Sequence, residues 1–171
     1  MNFEDIVVKI DKPYPEIVNA TDDRMTVAIL KNLVNSRIGE LTATLTYIYQ
    51  SVVADKINED IAEIFEEIGI VEMIHQDLLM HAICDFGGNP RYEDAQGKFY
   101  NTGVLNYNKK LVDMLNDNIS AEKYAVENYK EAIRRIGNES LKKLFARIIE
   151  DEERHIEIFN KIKNNVEFLS I

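Results

Sequence analysis

Residues 71–75 read VEMIH and residues 151–155 read DEERH. Each stretch sets a Glu three positions before a His, inside a segment whose apolar residues recur with helical spacing. Around the first, Ile61, Ile64, Phe65, Ile68, Glu72, His75, Leu79 and Phe86 share one face. Around the second, Leu141, Leu144, Phe145, Ile148, Glu152, His155, Ile156, Phe159 and Ile162 do the same. An apolar helix face is the one that packs inward. Both sequences therefore direct ionisable groups into a core, and the chemistry that tolerates this decides the fold.

Working outward, the glycines and prolines cluster and leave four helical stretches between them. The first is expected over about residues 21–55, capped by Thr21 or Asp22, with Leu30, Val34, Leu41, Leu45, Ile48 and Val52 in its apolar stripe. The second starts near Asn58 and stops at Gly87–Gly88. The third is expected over about 104–136, and the fourth from Asn138 or Ser140 onward. Short links between the first and second, and between the third and fourth, predict two antiparallel hairpins. The fold class expected is all-α, a four-helix bundle, with residues 1–20 as an N-terminal arm and 21–171 as the bundle domain. About 16 irregular residues join the hairpins. Extended, they reach roughly 50 Å, more than the roughly 38 Å of a 25-residue helix. The chain can thus cross the length of the bundle between the second and third helices.

Depth reinforces the pattern. Glu40 and Glu72 each lie about 15 residues from the first hairpin turn, and Glu122 and Glu152 about 15 from the second. At 1.5 Å per residue all four sit roughly 22 Å from their turns. Four buried carboxylates cost several kcal/mol each unless compensated. Two divalent cations would neutralise them, with His75 and His155 completing the ligand set, and oxygen with imidazole suits iron or manganese. Tyr47 and Tyr129 each follow a Glu by seven residues, positioned to hydrogen-bond a carboxylate or to pack. His81 falls off the ligand face and reads as a surface residue, Cys84 as a small core residue, and Glu153 as solvated beside the site. Tyr92, Phe99 and Tyr100 are expected to cover the outer face of the bundle.

Composition narrows the alternatives. Apolar residues make up 46% of the chain and charged residues 29%, a globular balance. A net charge of −10 disfavours nucleic acid as a partner. No apolar run approaches the roughly 20 residues that span a bilayer. The lone Cys84 excludes an internal disulfide or Cys-rich metal ribbon. The opening MNFEDIVVKI lacks a signal-peptide layout, and the expected compartment is the cytoplasm.

At these residues the sequence resembles the ferritin-like di-iron superfamily, particularly bacterioferritin, rubrerythrin and their shorter relatives, over about residues 22–165. The stretches GELTATLTYIYQ (39–50) and EEIGIVEMIH (66–75) also resemble manganese catalases. The resemblance implies metal ligation by Glu40, Glu72, His75, Glu122, Glu152 and His155, with Glu72 and Glu152 bridging two metals and central to catalysis. It implies two iron ions, alternatively manganese, and an oxidoreductase that couples Fe(II) oxidation to reduction of peroxide or oxygen. Iron storage in a cage and manganese catalase activity are the alternatives. A separate electron-donor protein is expected, because no Cys-rich rubredoxin segment lies within these residues, and so is a homo-oligomer, dimeric or larger. Rubrerythrins carry a second Glu on the third helix where this chain has Ala125, which brings the ligand set closer to bacterioferritin. Met73 matches the haem-binding position of bacterioferritin, and reads here as interface packing rather than a haem ligand.

Overall fold

A computed structural model of the chain describes residues 6–168. Residues 1–5 of the expected arm and 169–171 of the expected bundle domain lie outside them. The elements are α1 (Arg24–Asn35), α2 (Glu40–Ala54), α3 (Glu59–Asp85), α4 (Leu111–Arg135) and α5 (Glu139–Phe168), with a short 3-10 turn at Thr102–Val104. End to end, α1 and α2 form one rod, and α3, α4 and α5 are the other three rods of a four-helix bundle. Among the described residues the only strand-like feature is an isolated bridge between Glu93 and Phe99.

The expected single helix over 21–55 is in fact two. Asp23, rather than Thr21 or Asp22, caps α1: its carboxylate accepts from Met25 N at 2.9 Å and from Thr26 Oγ1 at 2.6 Å. The helix then stops at Asn35, and Ser36–Gly39 form a turn in which Gly39 N donates to Ser36 O. Thr42 Oγ1 also donates to Ser36 O, stapling the turn to α2. A Cβ at position 39 would stand 2.3 Å from the Leu33 carbonyl oxygen, so only glycine fits there. This break makes Glu40 the first residue of α2.

The other boundaries follow local chemistry. Asn58 caps α3 by accepting from Ile61 N, and Gly87, at φ 78°, ends it. Asn138 Oδ1 accepts from Leu141 N at the start of α5. The expected start of the third helix near Val104 is corrected to Leu111. Asn106 and Asn108 both donate to Asp117, and Asn108 N donates to Asn106 Oδ1, which holds that stretch in turns instead of helix.

Both hairpins form as expected, α2 with α3 and α4 with α5. The connector between them runs the length of the bundle. At one end Asp23 N donates to Phe86 O; at the other the Tyr49 and Tyr107 rings meet edge to face, 5.0 Å apart. Along the way Lys31 pairs with Glu93 at 2.7 Å and Tyr100 shares a hydrogen bond with Thr42. Tyr92 and Phe99 remain largely exposed.

The apolar core is divided. One cluster holds Tyr47, Phe65, Ile68, Met114, Leu115, Phe159 and Ile162; the other holds Leu30, Val34, Leu79, Ile83, Tyr129, Leu141, Phe145 and Ile148. On every rod the Glu and His positions fall between the two. Two expected core positions are corrected: Ile48 and Val52 are 40% and 68% exposed, because α2 turns its polar side (Glu40, Thr46, Gln50) inward. Cys84 is exposed, not a core residue. His81 is exposed as expected. No helix among the described residues is long and apolar enough to cross a membrane.

Candidate metal centre

Six side chains from four helices meet in the polar layer: Glu40 from α2, Glu72 and His75 from α3, Glu122 from α4, Glu152 and His155 from α5. All are at most 4% exposed. The i, i+3 spacing in α3 and α5 puts each His beside its own Glu, at 3.3 Å for His75 Nδ1 to Glu72 Oε2 and 3.2 Å for His155 Nδ1 to Glu152 Oε2. The helices then cross-connect. His155 Nδ1 lies 2.9 Å from Glu72 Oε1, and His75 Nδ1 lies 3.3 Å from Glu152 Oε1.

Two sets of ligand-type atoms result, each gathered within 4.8 Å. One is Glu40, Glu72, His75 and Glu152; the other is Glu72, Glu122, Glu152 and His155. Glu72 and Glu152 belong to both, so two ions would share them. Two atoms test whether the residues suit such ions. Glu72 Oε1 and Glu152 Oε1 are buried, and although His155 Nδ1 and His75 Nδ1 lie 2.9 and 3.3 Å away, neither oxygen receives an aligned hydrogen bond among the described residues. Buried carboxylate oxygens without donors are costly, and a cation would satisfy both. Both imidazoles also turn the same nitrogen, Nδ1, toward the carboxylates. The set fits a pair of hard divalent cations.

Electrostatics agree. Burial pushes the Glu40 and Glu122 carboxyls well above the usual carboxylate range, and the charges of Glu72 and Glu152 push further. For Glu72 burial acts upward too, but the His155 and His75 imidazoles beside it outweigh burial and hold the group well below that range. Burial disfavours the imidazolium of His155, yet its hydrogen bond to Glu152 and the adjacent Glu72 carboxylate raise it to about 10. His75 is likewise raised, with burial overcome by the Glu152 charge, by the hydrogen bond to Asp151 and by the neighbouring Glu40 carboxylate. Protons thus do in part what two cations would do fully.

The tyrosines bond across the bundle. Tyr47 donates to Glu122 and Tyr129 to Glu40, each serving a carboxylate of the other hairpin. Glu153 is exposed and outside the cluster. Sequence reasoning missed Asp151, which is fully buried with Oδ2 3.2 Å from His75 Nε2. Its neighbours Tyr14 and Arg147 were missed with it. Next to Glu152 in an acidic run, Asp151 carries no local sign of burial.

A cavity of about 150 Å³ opens between α2 and α4 and reaches the cluster, lined by Arg37, Thr46, Asn118 and Ala125 together with Glu40, Glu72, Glu122 and Glu152. Ala125 leaves this space open where a longer side chain would enter it.

The rubrerythrin family model matches residues 31–163, a span containing all six residues. The chain belongs to the rubrerythrin family. Solved structures place it among ferritin-like bundles. It is similar to KatB, a manganese catalase from Anabaena PCC7120, with a TM-score of 0.83 and 23% identity, covering 95% of this chain and 81% of that one. Desulfovibrio desulfuricans bacterioferritin, described with a diiron site, gives 0.73 and 22%, covering 86% and 85%. Rhodobacter capsulatus bacterioferritin, described with a metal-free dinuclear site and haem iron, gives 0.74 and 22%, covering 87% and 89%. Comparison with curated proteins yields no match. This member of the rubrerythrin family therefore combines a di-metal-type bundle with a buried carboxylate–histidine cluster.

Proposed function

We propose that this rubrerythrin-family chain is a di-iron oxidoreductase that couples Fe(II) oxidation to reduction of peroxide or oxygen. The observation that carries this reading is the pair of four-residue sets sharing Glu72 and Glu152. On this reading Glu40 and His75 would hold one ion, Glu122 and His155 the other, and Glu72 and Glu152 would be shared between them. Two adjacent iron ions, when bound, would supply the two electrons that reduce an O–O bond.

The protein's own part is positioning and exclusion. Tyr47 and Tyr129 orient Glu122 and Glu40, so neither carboxylate need reorganise when a cation enters. The two apolar clusters on either side keep bulk water out of the layer. The cavity past Ala125 admits an oxidant only a few atoms in size. Assembly as a homodimer or larger is part of the same proposal, supported by the exposed Ile48, Val52, Ile70 and Met73 on α2 and α3. So are a cytoplasmic setting and a separate electron donor; haem at Met73 is not.

Stopped-flow oxidation of anaerobically Fe(II)-loaded protein tests the reading. Hydrogen peroxide should oxidise the wild type rapidly and oxygen more slowly. Glu72→Ala and Glu152→Ala should abolish the reaction, and His81→Ala should leave it unchanged. Equal rates for wild type and Glu72→Ala would leave a metal-stapled structural bundle as the better account. Manganese catalase activity is the second reading, favoured by the similarity to KatB. Oxygen release from peroxide by Mn-loaded protein, without added reductant, would select it.

A further inference from the structure

The two imidazoles face the same carboxylates in the same way, but behind them the structure is unequal. His75 Nε2 lies 3.2 Å from Asp151 Oδ2. His155 Nε2 is buried with no hydrogen-bond partner among the described residues. Asp151 is itself tied down from four directions. Tyr14 OH donates to its Oδ2 at 2.7 Å, Ile10 N donates to its Oδ1 at 2.8 Å, and Arg147 Nη1 pairs with Oδ1 at 2.9 Å, leaving the remaining direction to His75.

Two of these partners come from the segment that precedes α1. Its sequence, Pro13-Tyr14-Pro15, favours extended backbone, since each proline restricts its own φ and the residue before it. Arg147 of α5 fastens that segment by donating to the carbonyls of Ile10 and Lys12. The guanidinium also lies 4.7 Å from the Tyr14 ring centre, and the Tyr14 ring meets His75 edge-on at 5.8 Å. The segment therefore backs the His75 half of the cluster with polar partners, whereas the His155 half, equally buried, offers Nε2 none among the described residues.

A carboxylate on the far nitrogen of a ligating His fixes ring rotation and tautomer and raises basicity, and its loss typically weakens metal binding by roughly 10–100-fold. We infer that the segment before α1 is a working part of the metal centre: with Arg147 it positions Asp151, Asp151 positions His75, and the ion position served by His75 is preorganised while the one served by His155 is not. Asp151 and Tyr14 are positioning residues in this arrangement. Filling is then sequential, with the first ion taken at the His75 position. The inference rests on the two-ion reading above.

Titration with Mn(II), free ion followed by electron paramagnetic resonance, tests it without turnover. Wild type should show a tight and a weak step, roughly 10–100-fold apart. His155→Ala should retain the tight step, and His75→Ala only the weak one. Asp151→Asn should weaken the tight step by roughly 10–100-fold and spare the weak one. Tyr14→Phe removes only the phenol hydrogen bond and should weaken the tight step by several-fold, which keeps the test open if Asp151→Asn fails to fold. His81→Ala, at an exposed residue of α3 outside the cluster, should change neither step. Two equal steps in the wild type, or Tyr14→Phe and Asp151→Asn weakening both steps alike, would overturn the inference and leave the two-ion reading standing. No Mn(II) uptake by the wild type would bring down the two-ion reading itself.

Discussion

Tyr129 of α4 donates its phenol hydrogen bond to Glu40 of α2, a carboxylate 89 positions earlier and on the opposite hairpin. Tyr47 returns the arrangement by donating to Glu122. Each hairpin thereby depends on the other for the orientation of its outer carboxylate.

Removing one of these phenols should strand a fully buried carboxyl. Leaving a buried polar group unpaired costs about 1–3 kcal/mol. Tyr129→Phe and Tyr47→Phe should each lower stability by about that amount in urea unfolding of the metal-free protein. An effect near zero would mean that water reaches Glu40 or Glu122 from the cavity.

Shared and unshared ligands should separate in metal content. Wild-type protein loaded with Fe(II) or Mn(II) should hold two ions per chain by elemental analysis. Glu40→Ala and Glu122→Ala each touch one set and should reduce this toward one. Glu72→Ala or Glu152→Ala touches both and should reduce it toward zero. If all four variants lost the same amount, the division into two sets would be wrong.

Stability without metal should fall as pH rises. His155 is raised from 6.5 to about 10 on folding, and His75, Glu40 and Glu122 also shift upward. Groups raised in this way bind protons more tightly when folded. Their contribution is full below the unfolded value and disappears as pH climbs through the folded one. For His155 the window runs from pH 6.5 to about 10. Glu72 and Asp151 shift downward and act oppositely, losing their contribution as pH falls below the ordinary carboxylate range. The melting temperature of metal-free protein should therefore peak in mildly acidic solution. Metal needs neutral imidazole and ionised carboxylate, so stabilisation by added metal should grow over the same rise in pH. A melting temperature that is flat from pH 6.5 to 10 would show that the cluster is solvated.

Gly39→Ala should be severe for a substitution of one methyl group. The new Cβ would meet the backbone oxygens of Leu33 at 2.3 Å and Val34 at 2.7 Å, and backbone cannot swing aside as a side chain can. A loss of about 2–4 kcal/mol in thermal or urea unfolding is expected, within the range for strained core positions. Because Gly39 precedes Glu40, metal content should fall as well. Near-wild-type stability would mean that the α1–α2 turn is loose.

What the sequence determined by itself was local or periodic. The i, i+3 spacing places Glu72 with His75, and Glu152 with His155, on one face of any helix that forms there. Equal distances from two hairpin turns set all four glutamates at one depth whatever the packing angle. Asn58 and Gly87 carry their cap chemistry in their own side chain or lack of one. What tertiary structure alone decided depends on partners far away in the chain. Serine, arginine and isoleucine at 36–38 can all continue a helix, and the break there becomes visible only when Gly39 lies against the α1 carbonyls. Ile48 and Val52 keep core-like spacing but face outward, because Glu40 and Gln50 are drawn to the polar centre instead. The spacing of Tyr47 and Tyr129 allows either a carboxylate partner or packing, and the choice of carboxylate follows from the closeness of α2 to α4. Asp151 reads as one more acidic residue on a charged helix. It is buried because Tyr14 and the backbone of Ile10, about 140 positions earlier, supply the hydrogen bonds that water would otherwise give it.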